Sequence, residues 1–239
     1  MPREVCRTTT PLPPISITLP DGAVINSADA DVDRALSRAL GRNVTLLVTA
    51  PVRPTREANR APVDGAADQE LILEEEMALA APPGTFFDYA PIHLLTTTTL
   101  ERLQDLYPDG RFEIPRFRPN IVVAPPGDER DFVENRWLGR RLVVGVGVEL
   151  QLIDPCPRCV MTTLAQGDLP HDPAILRTVA RHNAVASVTL APGVVLPAVA
   201  GVYAGVLQAG TLRRGDSVWL QHECGDQRRQ QHARDAGDR

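Results

Sequence analysis

Hydrophobic and polar positions change period several times along this 239-residue chain, and each change predicts an element. Residues 15–19 read as a short strand that ends at the turn signal Pro20-Asp21-Gly22. Asp29-Ala30-Asp31 then opens a helix with Val32, Ala35, Leu36 and Ala39 on its inner face and Gly41 placed to stop it. Residues 43–49 return as a strand. Residues 51–67, rich in Pro, Arg, Ala and Gly, read as an exposed linker, and Glu74, Glu75 and Glu76 as a solvated acidic patch.

The pattern strengthens after residue 83. Residues 92–95 predict a strand running into Thr96-Thr97-Thr98-Thr99, where a threonine caps a helix with Leu100, Leu103, Leu106 and Tyr107 on its apolar face. Residues 121–123 read as a short buried strand, and residues 142–153 give the longest β signal of the chain. His171-Asp172-Pro173 announces another helix, with Asp172 as N-cap, Pro173 in the first turn and Ile175, Leu176 and Val179 inward. Residues 202–207, a Gly-rich turn and residues 216–220 read as an antiparallel hairpin closing a sheet. Residues 1–11 read as coil, and the charged, repetitive tail 222–239 is expected to be disordered.

Many short strands, few helices and no regular strand–helix alternation predict a mainly β fold of the α+β class, a barrel-like sheet with helices packed outside. Boundaries near residues 83 and 221 divide the chain into 1–82, 83–221 and 222–239. Composition narrows the function more than the fold. A formal charge of -5 is not the basic footprint of a nucleic-acid binder. No apolar run reaches the length of a membrane span and the start has no signal-peptide pattern, so a cytoplasmic protein is expected. All 25 basic residues are arginine; without lysine, pyridoxal phosphate cannot be held as a Schiff base and is not expected.

The four cysteines are Cys6, Cys156, Cys159 and Cys224, too few for a disulfide scaffold. Cys156-Pro157-Arg158-Cys159 follows the longest strand. A redox dithiol should open a helix, but Met161-Thr162-Thr163 makes a weak helix start. A zinc site needs two further ligands, and no second C-x-x-C or H-x-x-x-H exists in the sequence. Two buried cysteines at a strand end remain open as a plain reading. The other is a single thiolate, favoured by adjacent Arg158, that ligates a soft metal or acts as a nucleophile. Upstream, Arg116-Phe117-Arg118-Pro119-Asn120 leads into a Val-rich strand. Arginine gives bidentate phosphate recognition, and asparagine both donates and accepts towards a heterocycle edge; a surface arginine cluster is the plain alternative.

Phe117-Arg118-Pro119-Asn120, then Pro157-Arg158-Cys159-Val160-Met161-Thr162-Thr163, then Val202-Tyr203-Ala204 through Gly210 to Gly215-Asp216-Ser217-Val218, resemble the MOSC domain family over about residues 84–220. The resemblance implies a MOSC-type β-barrel, with residues 1–82 a truncated N-terminal barrel remnant and linker. It implies a molybdenum–pterin cofactor with Cys159 as the metal ligand and Arg118, Asn120 and Arg158 at the cofactor. Asp88 takes the place of an acidic residue near the metal, or is a turn or capping aspartate. Thr96 offers a hydroxyl and a helix N-terminus to a phosphate, or simply caps its helix. Tyr89 and Ala90 stand where the amidoxime-reducing branch has two hydroxyl side chains. The N-terminal "Y-P-[IV]-K-[SG]" and "G-[DI]-R" motifs are missing from this sequence.

The expected activity is oxygen-atom-transfer reduction of an N-hydroxylated or related small molecule. Four cysteines cannot supply both an iron–sulfur site and the metal ligand, so a separate electron-donating reductase is implied. Two other readings stand beside it. One is a non-catalytic sulfur-carrier or cofactor-handling module with Cys156 as resolving thiol for Cys159. The other is a vestigial paralogue without metal.

Overall fold

The structure, a computed structural model, describes residues 13–60 and 71–221. The chain forms two compact units, one of residues up to 77 plus 82–86, the other of residues 78–81 and 87 onward. In the first, β1 (Ser16–Thr18) and β2 (Val24–Asn26) make an antiparallel hairpin around the predicted turn, followed by α1 (Val32–Leu40), which Gly41 ends in the left-handed region at φ 67°.

Residues 43–49 are irregular, not the expected strand. Their backbone groups are taken by side chains of α1: Val44 N–H donates to Ser37 Oγ at 2.9 Å and Leu46 N–H to Asp33 Oδ1 at 2.8 Å. The expected linker is in part a hairpin, β3 (Thr55–Arg60) paired with β4 (Leu71–Glu76); residues 61–67 lie outside the described residues. The acidic run is partnered across that hairpin, Glu75 with Arg56 at 3.1 Å, Glu76 with Arg53 at 3.2 Å and Glu74 with Thr55 Oγ1 at 2.7 Å. The tail 222–239, Cys6, Cys224 and residues 1–11 also lie outside the described residues.

The second unit is built on a six-stranded mixed sheet. It comprises β5 (Ile92–Thr96), β6 (Ile121–Val123), β7 (Arg141–Val144), β8 (Val148–Pro157), β11 (Val199–Gln208) and β12 (Val218–Leu220), ordered β12-β7-β8-β11-β5-β6. A small separate pair is formed by β9 (Val185–Ala186) and β10 (Val195–Leu196). Helices α2 (Thr97–Leu106), the single turn α3 (Ile114–Phe117) and α4 (Pro173–His182) pack on the sheet. The fold is mainly β with peripheral helices, as the pattern predicts.

Side-chain alternation explains how both sheet faces are covered. Leu94 joins Leu142, Val144, Leu150, Leu152, Val202 and Ala204 in one core cluster. Its neighbour Leu95 points the other way, into a cluster with Leu103 of α2, Phe117 of α3 and Ile175 and Val179 of α4. Thr96 and Asp172 cap α2 and α4 as read, accepting from Thr99 N–H and Ala174 N–H.

Two strand readings change. The signal over residues 142–153 is a hairpin of β7 and β8, because Gly145 and Gly147 sit at φ 55° and 94° and turn the chain with Val146 fully exposed. The expected hairpin of residues 202–207 with 216–220 does not form. Both edges of β11 are occupied, by β8 and β5, so β12 crosses to pair with β7. The Gly215-Asp216 turn seats it there: Asp216 Oδ2 accepts from Arg213 N–H at 2.7 Å, and Gly145 N–H donates to Ser217 O at 2.9 Å.

Candidate functional site

Three element ends meet beside Cys159: the C-terminus of β8, the C-terminus of α3 with the entry to β6, and the bulged start of β11. The β8 backbone stays extended through Cys159, with Arg158 N–H donating to Ala198 O at 2.8 Å and Cys159 at φ -115°, ψ -177°. Extended backbone turns alternate residues to opposite faces. Cys156 is fully buried and Arg158 returns to it, its Nη1 2.9 Å from Cys156 Sγ. Cys159 is exposed, at the start of a 3-10 turn over Val160–Thr163. The backbone of that turn is fixed by Thr162, whose N–H and Oγ1 both donate to Cys159 O, at 3.2 and 3.0 Å.

The two thiols therefore differ in kind. Burial pushes the Cys156 thiol pKa up, opposed by Arg158 and by a hydrogen bond with Tyr203. Cys156 is sealed from solvent while Cys159 is exposed, so of the two only Cys159 is open to an incoming ligand. Arg158 is also not directed outward as a phosphate ligand would be: Nη1 is on Cys156, Nη2 donates to Phe117 O at 2.7 Å, and Nε is buried without a partner.

The α3 segment repeats this inside–outside arrangement. Arg116 is 1% exposed, and its guanidinium donates to four carbonyls, Arg111 O, Thr162 O, Leu164 O and Pro170 O, at 2.8 to 3.3 Å. It ties α3 to the loop that follows Cys159. Arg118, the C-cap at φ 51°, is exposed. Asn120, also exposed, exchanges two bonds with β5: its Oδ1 accepts from His93 N–H at 2.8 Å and its N–H donates to His93 O at 2.9 Å. The side-chain NH2 of Asn120 has no hydrogen-bond partner among the described residues. Because Arg158 grips the carbonyl of Phe117, the residues just before Cys159 and just before Arg118 are joined directly.

His93 closes the floor. It is 7% exposed, with Nε2 3.0 Å from Ala200 O, and burial together with the nearby Arg158 cation lowers its pKa to about 4. It fits because residue 201 is glycine: at φ 86°, a Cβ there would meet Leu94 O at 2.5 Å and crowd the imidazole. Tyr203 packs edge-on to Tyr89 at 5.0 Å, and burial raises its pKa. Tyr89 hydrogen bonds Thr189 Oγ1 at 2.9 Å. Asp88 is exposed in the preceding loop, near enough to Tyr203 to act on its charge, and its carbonyl accepts from Ala78 N–H at 3.0 Å.

Thr96 is not part of this surface. It is fully buried, accepting from Thr99 N–H at 3.2 Å and donating to Glu134 Oε2 at 2.7 Å, so of its two readings the structure supports the helix cap. Sequence reasoning missed Glu134, whose pKa burial raises, and Asp154, whose buried carboxylate accepts from Ser187 Oγ and from the N–H groups of Val188, Thr189 and Leu190. Both are structural anchors, and their only signal was an acidic residue within an apolar stretch. His93 had the same weak signal.

The donor set at the surface is one thiol, one guanidinium and one amide. No group of three His, Cys, Asp or Glu able to hold a metal exists among the described residues. One thiolate fits a metal that arrives with ligands of its own, and the flanking guanidinium and amide fit an anionic, heterocyclic carrier. A groove of about 420 Å³ between β6 and β12, lined by Pro125, Trp137, Leu142 and Trp219, has no such donors. No helix among the described residues is long and apolar enough to cross a membrane.

The chain is 28% identical over 162 residues to the protein named mitochondrial amidoxime reducing component 2 of Homo sapiens, covering 65% of this chain and 43% of that protein. It is 39% identical over 77 residues to the Rattus norvegicus protein of the same name, 32% of this chain and 21% of that one. The chain thus spans less than half the length of these relatives. The model of the MOSC domain matches residues 82–219, more than half of the chain. The chain belongs to the MOSC domain family.

Proposed function

We propose that this chain holds a molybdenum–pterin cofactor through Cys159 and works as a reductase of N-hydroxylated or related small molecules. The observation that carries the reading is the exposed Cys159 thiol, tied through Arg158 and Phe117 to the segment that carries the exposed Arg118 and Asn120. The names of the relatives support the same substrate class.

Cys159 would bind the metal as thiolate, a soft ligand suited to a soft, redox-active centre. Arg118 would neutralise phosphate on the cofactor, and the side-chain NH2 of Asn120 would donate to the pterin edge. Asp88, exposed in the loop before Tyr89, would orient substrate near the metal. When bound, the cofactor supplies a two-electron centre at which an N–O bond is cleaved, two electrons and two protons from outside releasing the oxygen as water. The electrons come from a separate reductase protein, since the chain has few cysteines beyond the proposed ligand. Pyridoxal phosphate has no role in this proposal, because no lysine is present to bind it. A cytoplasmic location belongs to the same reading; the relatives are named mitochondrial, and cell fractionation distinguishes the two compartments.

The test is reduction of an amidoxime by reduced viologen, using protein purified anaerobically from a host that makes the cofactor. Wild type should turn over, and Cys159→Ala should lose at least about a hundredfold in rate. Equal rates in the two proteins would remove Cys159 from the chemistry. Inactive wild type carrying full cofactor would exclude this substrate class.

A further inference from the structure

We propose that Arg158 and Cys156 form a buried latch, making Arg158 a positioning residue that sets Cys159 against Arg118 and not an anion ligand. The latch is built from contacts that converge on one guanidinium. Nη1 reaches Cys156 Sγ at 2.9 Å, and Nη2 reaches Phe117 O at 2.7 Å. Cys156 is fully buried, with Tyr203 of β11 close beside it. Arg158 N–H meanwhile donates to Ala198 O. A single residue thus joins β8, the start of β11 and the C-terminal carbonyl of α3.

The sequence positions decide what is held. Arg158 immediately precedes Cys159, and Phe117 immediately precedes Arg118, so the bridge fixes the two outward groups through their inward neighbours. Arginine suits the task because its planar fork presents separate N–H groups to two acceptors, whereas a lysine ammonium is a point donor. Sulfur at residue 156 serves as a weak acceptor that tolerates complete burial. This gives the C-x-R-C spacing a meaning other than a dithiol: the first cysteine receives the arginine and the second is left free.

The latch deepens the molybdenum reading and rests on it only for what is being positioned, so it is tested first in metal-free protein. Amide hydrogen exchange is measured on the full chain for wild type, Cys156→Val, Cys156→Ser and Arg158→Gln. Cys156→Val and Arg158→Gln should speed exchange of residues 158–164 about tenfold, the effect of losing one charge-assisted bond, with residues 142–152 unchanged. Cys156→Ser keeps an acceptor and should stay within about twofold of wild type. Molybdenum retention should fall in Cys156→Val and Arg158→Gln and persist in Cys156→Ser. Unchanged exchange in Cys156→Val, or equal acceleration throughout the sheet, would overturn the latch. So would loss of molybdenum in Arg158→Gln but not in Cys156→Val, the signature of direct contact between Arg158 and the cofactor. A wild type that never carries molybdenum defeats the functional reading, while the exchange data still decide the latch.

Discussion

The groove between β6 and β12 and the rim around Cys159 divide between them the two properties usually sought in a binding site. The groove has enclosure: about 420 Å³ bounded by Trp137, Leu142, Trp219 and Pro125. Its one carboxylate, Asp216, is committed to the turn that seats β12. The rim carries an exposed thiol, guanidinium and amide whose inward neighbours are fixed by hydrogen bonds. Space arises where two sheet edges fail to meet, whereas chemistry arises where strand and helix ends converge. A cofactor that brings its own bulk and ligands needs the second more than the first.

The comparison is broken most severely by unpinning the rim. Arg116→Leu should cost about 3–5 kcal/mol, since it strands four carbonyls that one buried guanidinium satisfies. Chemical denaturation measures this, and a loss below about 1 kcal/mol would show that the loop holds without the arginine. Gly201→Ala should cost about 2–4 kcal/mol through the approach to Leu94 O and the positive φ, read as a lowered Tm.

The floor of the rim is pH-sensitive in a defined direction. Unfolded His93 takes up a proton near 6.5, while the folded imidazole resists until about 4. The unfolded state therefore binds more protons between these values, and stability falls as pH drops through them, by up to about 3 kcal/mol. Glu134, whose pKa burial raises, acts in the opposite sense: its contribution is lost as pH rises through that raised pKa. Denaturation of His93→Gln at pH 7 and pH 4.5 isolates the imidazole, and its stability should vary less with pH than that of wild type. An identical pH dependence would show that His93 titrates normally in the fold.

Smaller effects sharpen the contrast. Arg118→Ala should change stability by less than about 0.5 kcal/mol, because the side chain is exposed, yet lower cofactor retention several-fold. Trp219→Ser, in the groove, should leave molybdenum content at the wild-type level. Loss of the metal in the groove variant would move the site to the wrong side of the comparison.

Much of this was legible in the sequence because it is periodic or local. The caps of α2 and α4, the Gly41 stop and the β5 and β6 strands follow from short-range rules, and Cys159, Arg118 and Asn120, which the resemblance singles out, are all exposed. Pairing was not legible. A continuous β signal over residues 142–153 hides a turn that only the positive φ of Gly145 and Gly147 reveals. Nothing local says that β12 must pair with β7, because that depends on β11 already being occupied on both edges. Direction was also hidden: Arg116 and Arg118 look alike as letters, but one satisfies four interior carbonyls and the other faces water. The same holds for Cys156 and Cys159, which the spacing groups and the extended backbone separates.

Molybdenum content per chain, measured in wild type and Cys159→Ala after anaerobic purification from a cofactor-making host, tests the central claim most directly. About one molybdenum per wild-type chain is expected, less than about a tenth of that in Cys159→Ala, and the same Tm for the two metal-free proteins, because the thiol is exposed. Equal molybdenum in both proteins, or none in folded wild type, would contradict it.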